Sequence, residues 1–287
     1  MTFDAKINQC LERALMVGAD TNCPATLQSA LQHAVFPGGA RVRPQLCMAV
    51  AHACDPEADL TDTLAAATAL ELLHCASLVH DDLPCFDDAD QRRGKPSVHV
   101  KYGENIAVLA GDAMIVLAFQ TLADGAQTHF RELTKVMAEA TAPPNGIAAG
   151  QAWEVESEID LEAYHTSKTA ALFIAASRAG AVSVGASDET WRELGSCLGQ
   201  AYQIADDLRD SLLSPAELGK PAKQDMRNCR PSAVESYGVH GAYKRLRAAI
   251  DSAIQSVPDC DGTQSLRQLI QAQAIRLTPD HLVQEVA

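Results

Sequence analysis

Two short acidic runs interrupt apolar sequence. The first is His80-Asp81-Asp82-Leu83-Pro84-Cys85-Phe86-Asp87-Asp88, followed by Asp90, Arg92 and Arg93; the second is Gln203-Ile204-Ala205-Asp206-Asp207-Leu208-Arg209-Asp210. Burying several carboxylates without partners is costly. One such run reads equally well as a solvated helix end. Two, each following a long apolar helix, point to hard divalent cations held by oxygen ligands, with phosphate oxygens completing the shell. Asp206 and Asp210 are four apart and share a helix face, and Asp207 sits about 100° round from Asp206. Pro84 forbids regular helix in the first run. Asp81 and Asp82 therefore project from a helix end, and Asp87 has no place on a helical wheel.

Helices must carry these runs. Alanine is abundant, aromatic residues make up 5% of the chain and apolar residues 47%, a composition that favours helix and supplies a large core. Helical spacing predicts helices over 2–17, 25–35, 44–54, 61–80, 104–123, 129–141, 146–158, 160–186, 189–213, 235–256 and 263–275. Residues 83–98 hold Pro84, Gly94 and Pro96 and are at least partly loop; 214–233, with Pro215, Gly219, Pro221 and Pro231, are a polar loop. Helices 64–80 and 171–186 are apolar round most of their circumference and should be central. No alternating strand, repeat or linker stands out. The expectation is one all-α domain over 1–287, a bundle of ten or more helices around a central cavity.

Charge narrows the partners. The chain has 287 residues and a formal charge of −14, so a phosphodiester backbone would be repelled and nucleic acid is an unsuitable partner. An acidic protein that handles diphosphates needs metal ions or a local basic cluster. Nine cysteines stand singly, with no CxxC pair, which reads as thiols in a reducing cytoplasm. The opening residues do not resemble a signal peptide. No run of about 18 uncharged apolar residues occurs, so no membrane span is expected.

HDDLPCFDDADQRRGKPS resembles the first aspartate-rich motif of trans-prenyltransferases, the polyprenyl synthetase family, in its DDxxxxD form, and ADDLRD resembles the second, DDxxD. Each is moderately specific; both together, in order, are very specific. The resemblance runs from about residue 30 to 235. In overall wording the chain is most similar to bacterial geranylgeranyl diphosphate synthases of the carotenoid and bacteriochlorophyll type. GGARVRP at 38–44 resembles the family's GGKRxRP. The resemblance implies that Arg43, His74 and Arg93 hold isopentenyl diphosphate and that Arg92 faces the allylic diphosphate. It also implies that Lys168, Thr169, Gln203 and Lys220 surround the ionising diphosphate. Gly150-Gln151 matches another family pair, Gln151 supporting the cavity. Read without the family, His74 is a core histidine and Lys168 and Lys220 are surface charge. Ala40 stands where the family has lysine, Gln224 replaces a second lysine, and Arg230 takes a further basic position.

The same resemblance implies three Mg2+ ions, two with Asp81, Asp82 and Asp87 and one with Asp206, Asp207 and Asp210. The allylic partners would be dimethylallyl, geranyl or farnesyl diphosphate, and the protein a homodimer. Ala76 and Ser77, five and four residues before Asp81, are small where enzymes that stop at fifteen carbons commonly carry an aromatic residue, so the expected product is geranylgeranyl diphosphate. Close helix packing is the other reading of those two small residues. Met114 and Phe119 are candidates for the cavity floor. The alternatives are a farnesyl diphosphate synthase, another terpenoid enzyme of the same fold, a non-catalytic partner subunit of another synthase, or a metal-binding helical module.

Overall fold

A computed structural model describes residues 2–16, 23–36, 39–213 and 232–277. The helices are α1 Phe3–Met16, α2 Ala25–Val35, α3 Val42–Cys54, α4 Thr61–Asp81, α5 Val98–Tyr102, α6 Glu104–Gly125, α7 Phe130–Thr141, α8 Ile147–Ala152, α9 Leu161–His165, α10 Ala171–Val182, α11 Arg192–Leu212, α12 Ala233–Gln255 and α13 Thr263–Leu277. Most match the expected segments to within a residue or two. Three differ. The stretch read as helix 146–158 stops at Ala152 and continues only as a 3-10 turn, Trp153–Val155. The stretch read as 160–186 is interrupted by a π-helical turn, Thr166–Ala170. Inside 83–98 two-residue strands, β1 Gln91–Arg92 and β2 Lys95–Pro96, pair antiparallel, too short for any alternating pattern to reveal.

α4 and α10 are central, as their uniform apolarity requires: every described residue of α10 except Ile174 is buried, and α4 packs against α6, α3, α10 and α1. Two small residues set the seam between α4 and the antiparallel α6. A Cβ on Gly125 would stand 3.0 Å from the Ala65 Cβ, and one on Gly111 would collide with the His80 ring. Glycine at both ends lets the two backbones approach closely. Met114 of α6 and Ala76 of α4 are both buried. Asp62, near the start of α4, accepts the backbone N–H groups of Gln127, Thr128 and His129 at 2.7, 3.1 and 2.7 Å. One buried carboxylate thus satisfies donors at the start of α7 and fixes the connection from α6.

Two helices, α4 and α6, are long and apolar enough by length and composition to cross a membrane, a test that the buried core helix of a globular protein also passes; neither holds a run of about 18 residues free of charge. In α4 78% of the apolar window is buried inside the protein; in α6 only 33% is. Val108, Leu109 and Val116 of α6 are exposed.

Candidate functional site

The acidic runs meet across one cavity of about 170 Å3 lined by Asp81, Asp87, Asp206 and Asp210 together with Arg43, Arg92 and Lys168. His74, Ser77, Gln151, Thr169 and Gln203 complete most of the wall. α4 delivers His74, Ser77 and Asp81 at helical spacing. Beyond Asp81 the chain folds back on itself: Asp87 N–H donates to the Asp81 carbonyl at 2.9 Å and Ala89 N–H to that of Asp82 at 3.2 Å. The loop thus returns Asp87 to the end of α4. A larger apolar cavity of about 450 Å3 lies between α1, α4 and α6 near Thr61 and Thr68, at the other end of α4, and contains none of the expected site residues.

The second aspartate of each pair is already engaged. Arg92 Nε donates to both Asp82 oxygens at 3.0 and 3.2 Å, and its Nη2 also donates to Oδ1. Burial raises the Asp82 pKa, against the pull of Arg92. Burial alone would lower that of Arg92, but the hydrogen bond and charge of Asp82 raise it instead. Asp207 is 2% exposed; it accepts Gln203 Nε2 at 2.9 Å and the Ala233 backbone N–H at 2.7 Å, tying α11 to the start of α12. Of the two motifs, then, Asp81, Asp87, Asp206 and Asp210 face the cavity, while Asp82 and Asp207 sit behind it.

The two arginines of the ARVRP stretch divide their work. Arg41, at a left-handed φ of 49°, pairs with Glu71 at 2.6 Å and donates to the Val35 carbonyl at 2.8 Å, locking the segment to α4. Arg43 makes no ion pair with any described residue. It stacks on Phe173, 4.5 Å from the ring centroid, and donates to His74 Nε2 at 3.3 Å; its Nε is buried without a partner. Burial lowers its pKa. A guanidinium desolvated in this way is suited to an incoming anion. Burial first, and then the charges of Arg43, Arg93, Arg92 and Arg41, hold the His74 pKa well below its ordinary value, so its imidazole is neutral. Arg93 lies outside this cavity, at φ 54° on the β1–β2 turn, with its guanidinium over Gly39. It lines an adjoining smaller pocket that shares Arg92 and Leu78 with the first.

Thr169 Oγ1 donates to Gln203 Oε1, so these two oxygens sit together as expected. Lys168 comes from the π-helical turn. Its ammonium pairs with Glu154 and lies 3.8 Å from Asp81 Oδ2. Gln151 Nε2 donates to Asp81 Oδ1 and to the Ser77 carbonyl, both at 3.1 Å. Glu154 and Tyr164 are site residues that sequence reasoning missed. Glu154 opens a run of acidic residues that reads as a solvated face, and nothing in its spacing marks it. Ala76 is 1% exposed and is not among the residues lining the cavity, whereas Ser77 is. Lys220, Gln224 and Arg230 fall outside the described residues.

The donor set suits magnesium, because every candidate ligand is a carboxylate oxygen. Among the described residues no three acidic or histidine side chains converge tightly enough to hold an ion by themselves.

Comparison with known proteins agrees with this chemistry. Residues 24–272 match the family model described as polyprenyl synthetase. The chain is 49% identical over its full length to the whole of a geranylgeranyl diphosphate synthase of Cereibacter sphaeroides. It is 49% identical to one of Rhodobacter capsulatus, covering 96% of both chains. A crystal structure of a Helicobacter pylori geranyltransferase complexed with magnesium and isoprenyl diphosphate superposes with a TM-score of 0.76 at 27% identity, covering 96% of this chain and 97% of that one.

Proposed function

The chain belongs to the polyprenyl synthetase family, and from that premise we propose that it condenses isopentenyl diphosphate head-to-tail with allylic diphosphates to give geranylgeranyl diphosphate. The observation that carries the reading is the single cavity where four carboxylates, Asp81, Asp87, Asp206 and Asp210, face Arg43, Arg92 and Lys168. Two diphosphates and their cations need that mixture of signs. Dimethylallyl, geranyl and farnesyl diphosphate are the proposed starters. Residues 1–287 form one synthase domain in this reading.

Three Mg2+ ions are proposed, two with Asp81, Asp82 and Asp87 and one with Asp206, Asp207 and Asp210; Asp82 would first give up Arg92, and Asp207 would give up Gln203 while keeping the Ala233 N–H. The chemistry supplied by bound magnesium is neutralisation of charge on the departing diphosphate. Lys168 and Arg92 donate to the same leaving oxygens, with Lys220 added from outside the described residues. Thr169 and Gln203 turn oxygens toward the allylic cation that remains. Arg43, neutral His74 and Arg93 hold isopentenyl diphosphate so that its double bond attacks C1. One proton is then lost, to the released diphosphate. Apolar helices exclude water, which would otherwise capture the cation.

A cavity of about 170 Å3 is below the range that usually encloses a drug-sized ligand, so the growing tail needs further room. In this reading it passes Ser77 and runs along α4, where small side chains give way. α6 supports a homodimer: its exposed Val108, Leu109 and Val116 form an apolar face that a second copy would cover. The eight described cysteines are free thiols, in keeping with a reducing, cytoplasmic setting.

Chromatography of dephosphorylated products from the purified protein, given isopentenyl diphosphate and each starter in turn, tests the reading. Twenty-carbon product should accumulate with magnesium and vanish on chelation. Accumulation of the fifteen-carbon product would favour the farnesyl reading. No product without an added synthase would favour a partner subunit.

A further inference from the structure

We propose that Glu154 is a positioning residue that holds the Lys168 ammonium away from Asp81 and so keeps Asp81 open to a divalent cation. The inference rests on the metal-dependent reading above. Its basis is a four-residue arrangement in one corner of the cavity. Lys168 Nζ donates to Glu154 Oε1 and stays 3.8 Å from Asp81 Oδ2. Tyr164 Oη donates to the same Glu154 oxygen at 2.7 Å, anchoring the carboxylate. The Glu154 side chain is 5% exposed, so its charge is poorly screened by water.

Asp81 is meanwhile held by a neutral donor, Gln151 Nε2, at 3.1 Å, which orients the carboxylate without cancelling its charge. One short segment supplies all of this. Gly150 packs against the Lys168 backbone so tightly that any Cβ would collide with it, Gln151 orients Asp81, and Glu154 takes the ammonium. The π-helical turn that presents Lys168 is a rare geometry concentrated at functional sites. Without Glu154, Asp81 is the nearest carboxylate for Lys168. A direct, partly buried lysine–aspartate pair would then compete with the cation, since charge-assisted hydrogen bonds are among the strongest the site can make. Outer residues of this kind tune metal affinity without touching the metal.

The test is a double-variant cycle on the full chain, with Mg2+ titrated calorimetrically in saturating inorganic pyrophosphate. Glu154→Gln should weaken magnesium binding on the order of tenfold. On a Lys168→Gln background the same change should have no effect, because the competing ammonium is gone. Glu154→Asp, which keeps the charge, should recover part of the loss. Unchanged affinity in Glu154→Gln overturns the proposal, and so does an equal loss on both backgrounds. If Glu154→Gln melts below the assay temperature, Tyr164→Phe, which loosens the same carboxylate, goes through the same cycle under the same criteria. A wild-type protein that binds no magnesium with pyrophosphate would overturn the functional reading itself.

Discussion

The two acidic segments carry the same Asp-Asp pair on different scaffolds. Asp81-Asp82 ends α4 and runs into a loop that folds back through the Asp87 backbone; Asp206-Asp207 lies inside the continuous helix α11. At the first, both neighbours are met by cations or amides: Asp82 by Arg92, Asp81 by Gln151 and, at a distance, by Lys168. At the second, Asp206 is largely exposed, 3.8 Å from Arg209 Nη1, while Asp207 is buried and ties α11 to α12. In the first segment Asp82 is thus neutralised in advance and must give up Arg92 to take metal, while Asp81, met by a neutral amide, keeps its charge. The second is open on one face and structural on the other. Within each pair the two aspartates do different work because a helix sends successive side chains about 100° apart; in the first segment the loop then returns Asp87 to the side of Asp81.

The largest effects test whether both first aspartates meet the metals. Asp81→Ala and Asp206→Ala should each lower turnover by roughly 10³-fold or more, with helical circular dichroism retained. Near-wild-type diphosphate release in magnesium from either variant would break the pairing of the two segments.

The two aspartates of the second segment should separate by stability. Asp207→Ala leaves the Ala233 N–H without its acceptor and should cost roughly 1–3 kcal/mol, read as a lower midpoint in urea. Asp206→Ala should unfold at the wild-type midpoint. Equal midpoints would deny Asp207 its structural task.

Two smaller effects sharpen the comparison from the cationic side. The His74 pKa is depressed in the folded state by burial and by four arginines. The unfolded chain therefore takes up its proton near pH 6.5 before the folded chain does. Stability associated with neutral His74 is present above that pH and is lost as pH falls toward the folded value. Between pH 7 and pH 5 the wild type should lose up to about 2 kcal/mol more than His74→Gln, by urea unfolding at each pH. Equal losses would place His74 in a less hostile environment. Smallest is Ala40→Lys, which should lower the Michaelis constant for isopentenyl diphosphate by up to about tenfold, the value of one modest charge-assisted hydrogen bond. Arg93 over Gly39 already brings one cation beside position 40. An unchanged constant would show that it suffices.

Much was determined by sequence alone. Helical period, proline and glycine breaks and uniform apolarity fixed the helices and identified α4 and α10 as central, because those signals are local and repeat along the chain. The two acidic runs stood out by themselves, and resemblance to the family's motifs singled out Arg43, His74, Lys168, Thr169 and Gln203; with Asp81, Asp87, Asp206 and Asp210 these line one cavity. Tertiary structure decided what each does with its neighbours. That Arg41 serves Glu71 while Arg43 faces the cavity depends on a left-handed turn and on which helix lies opposite. The withdrawal of Asp207 depends on Ala233, 26 residues on. Glu154 becomes a site residue only because a π-helical turn brings Lys168 onto it. The close approach of α4 and α6 depends on Gly111 and Gly125, which meet His80 and Ala65. Hydrogen bonds and close packing join groups distant in sequence, and their partners are set by the fold rather than by spacing.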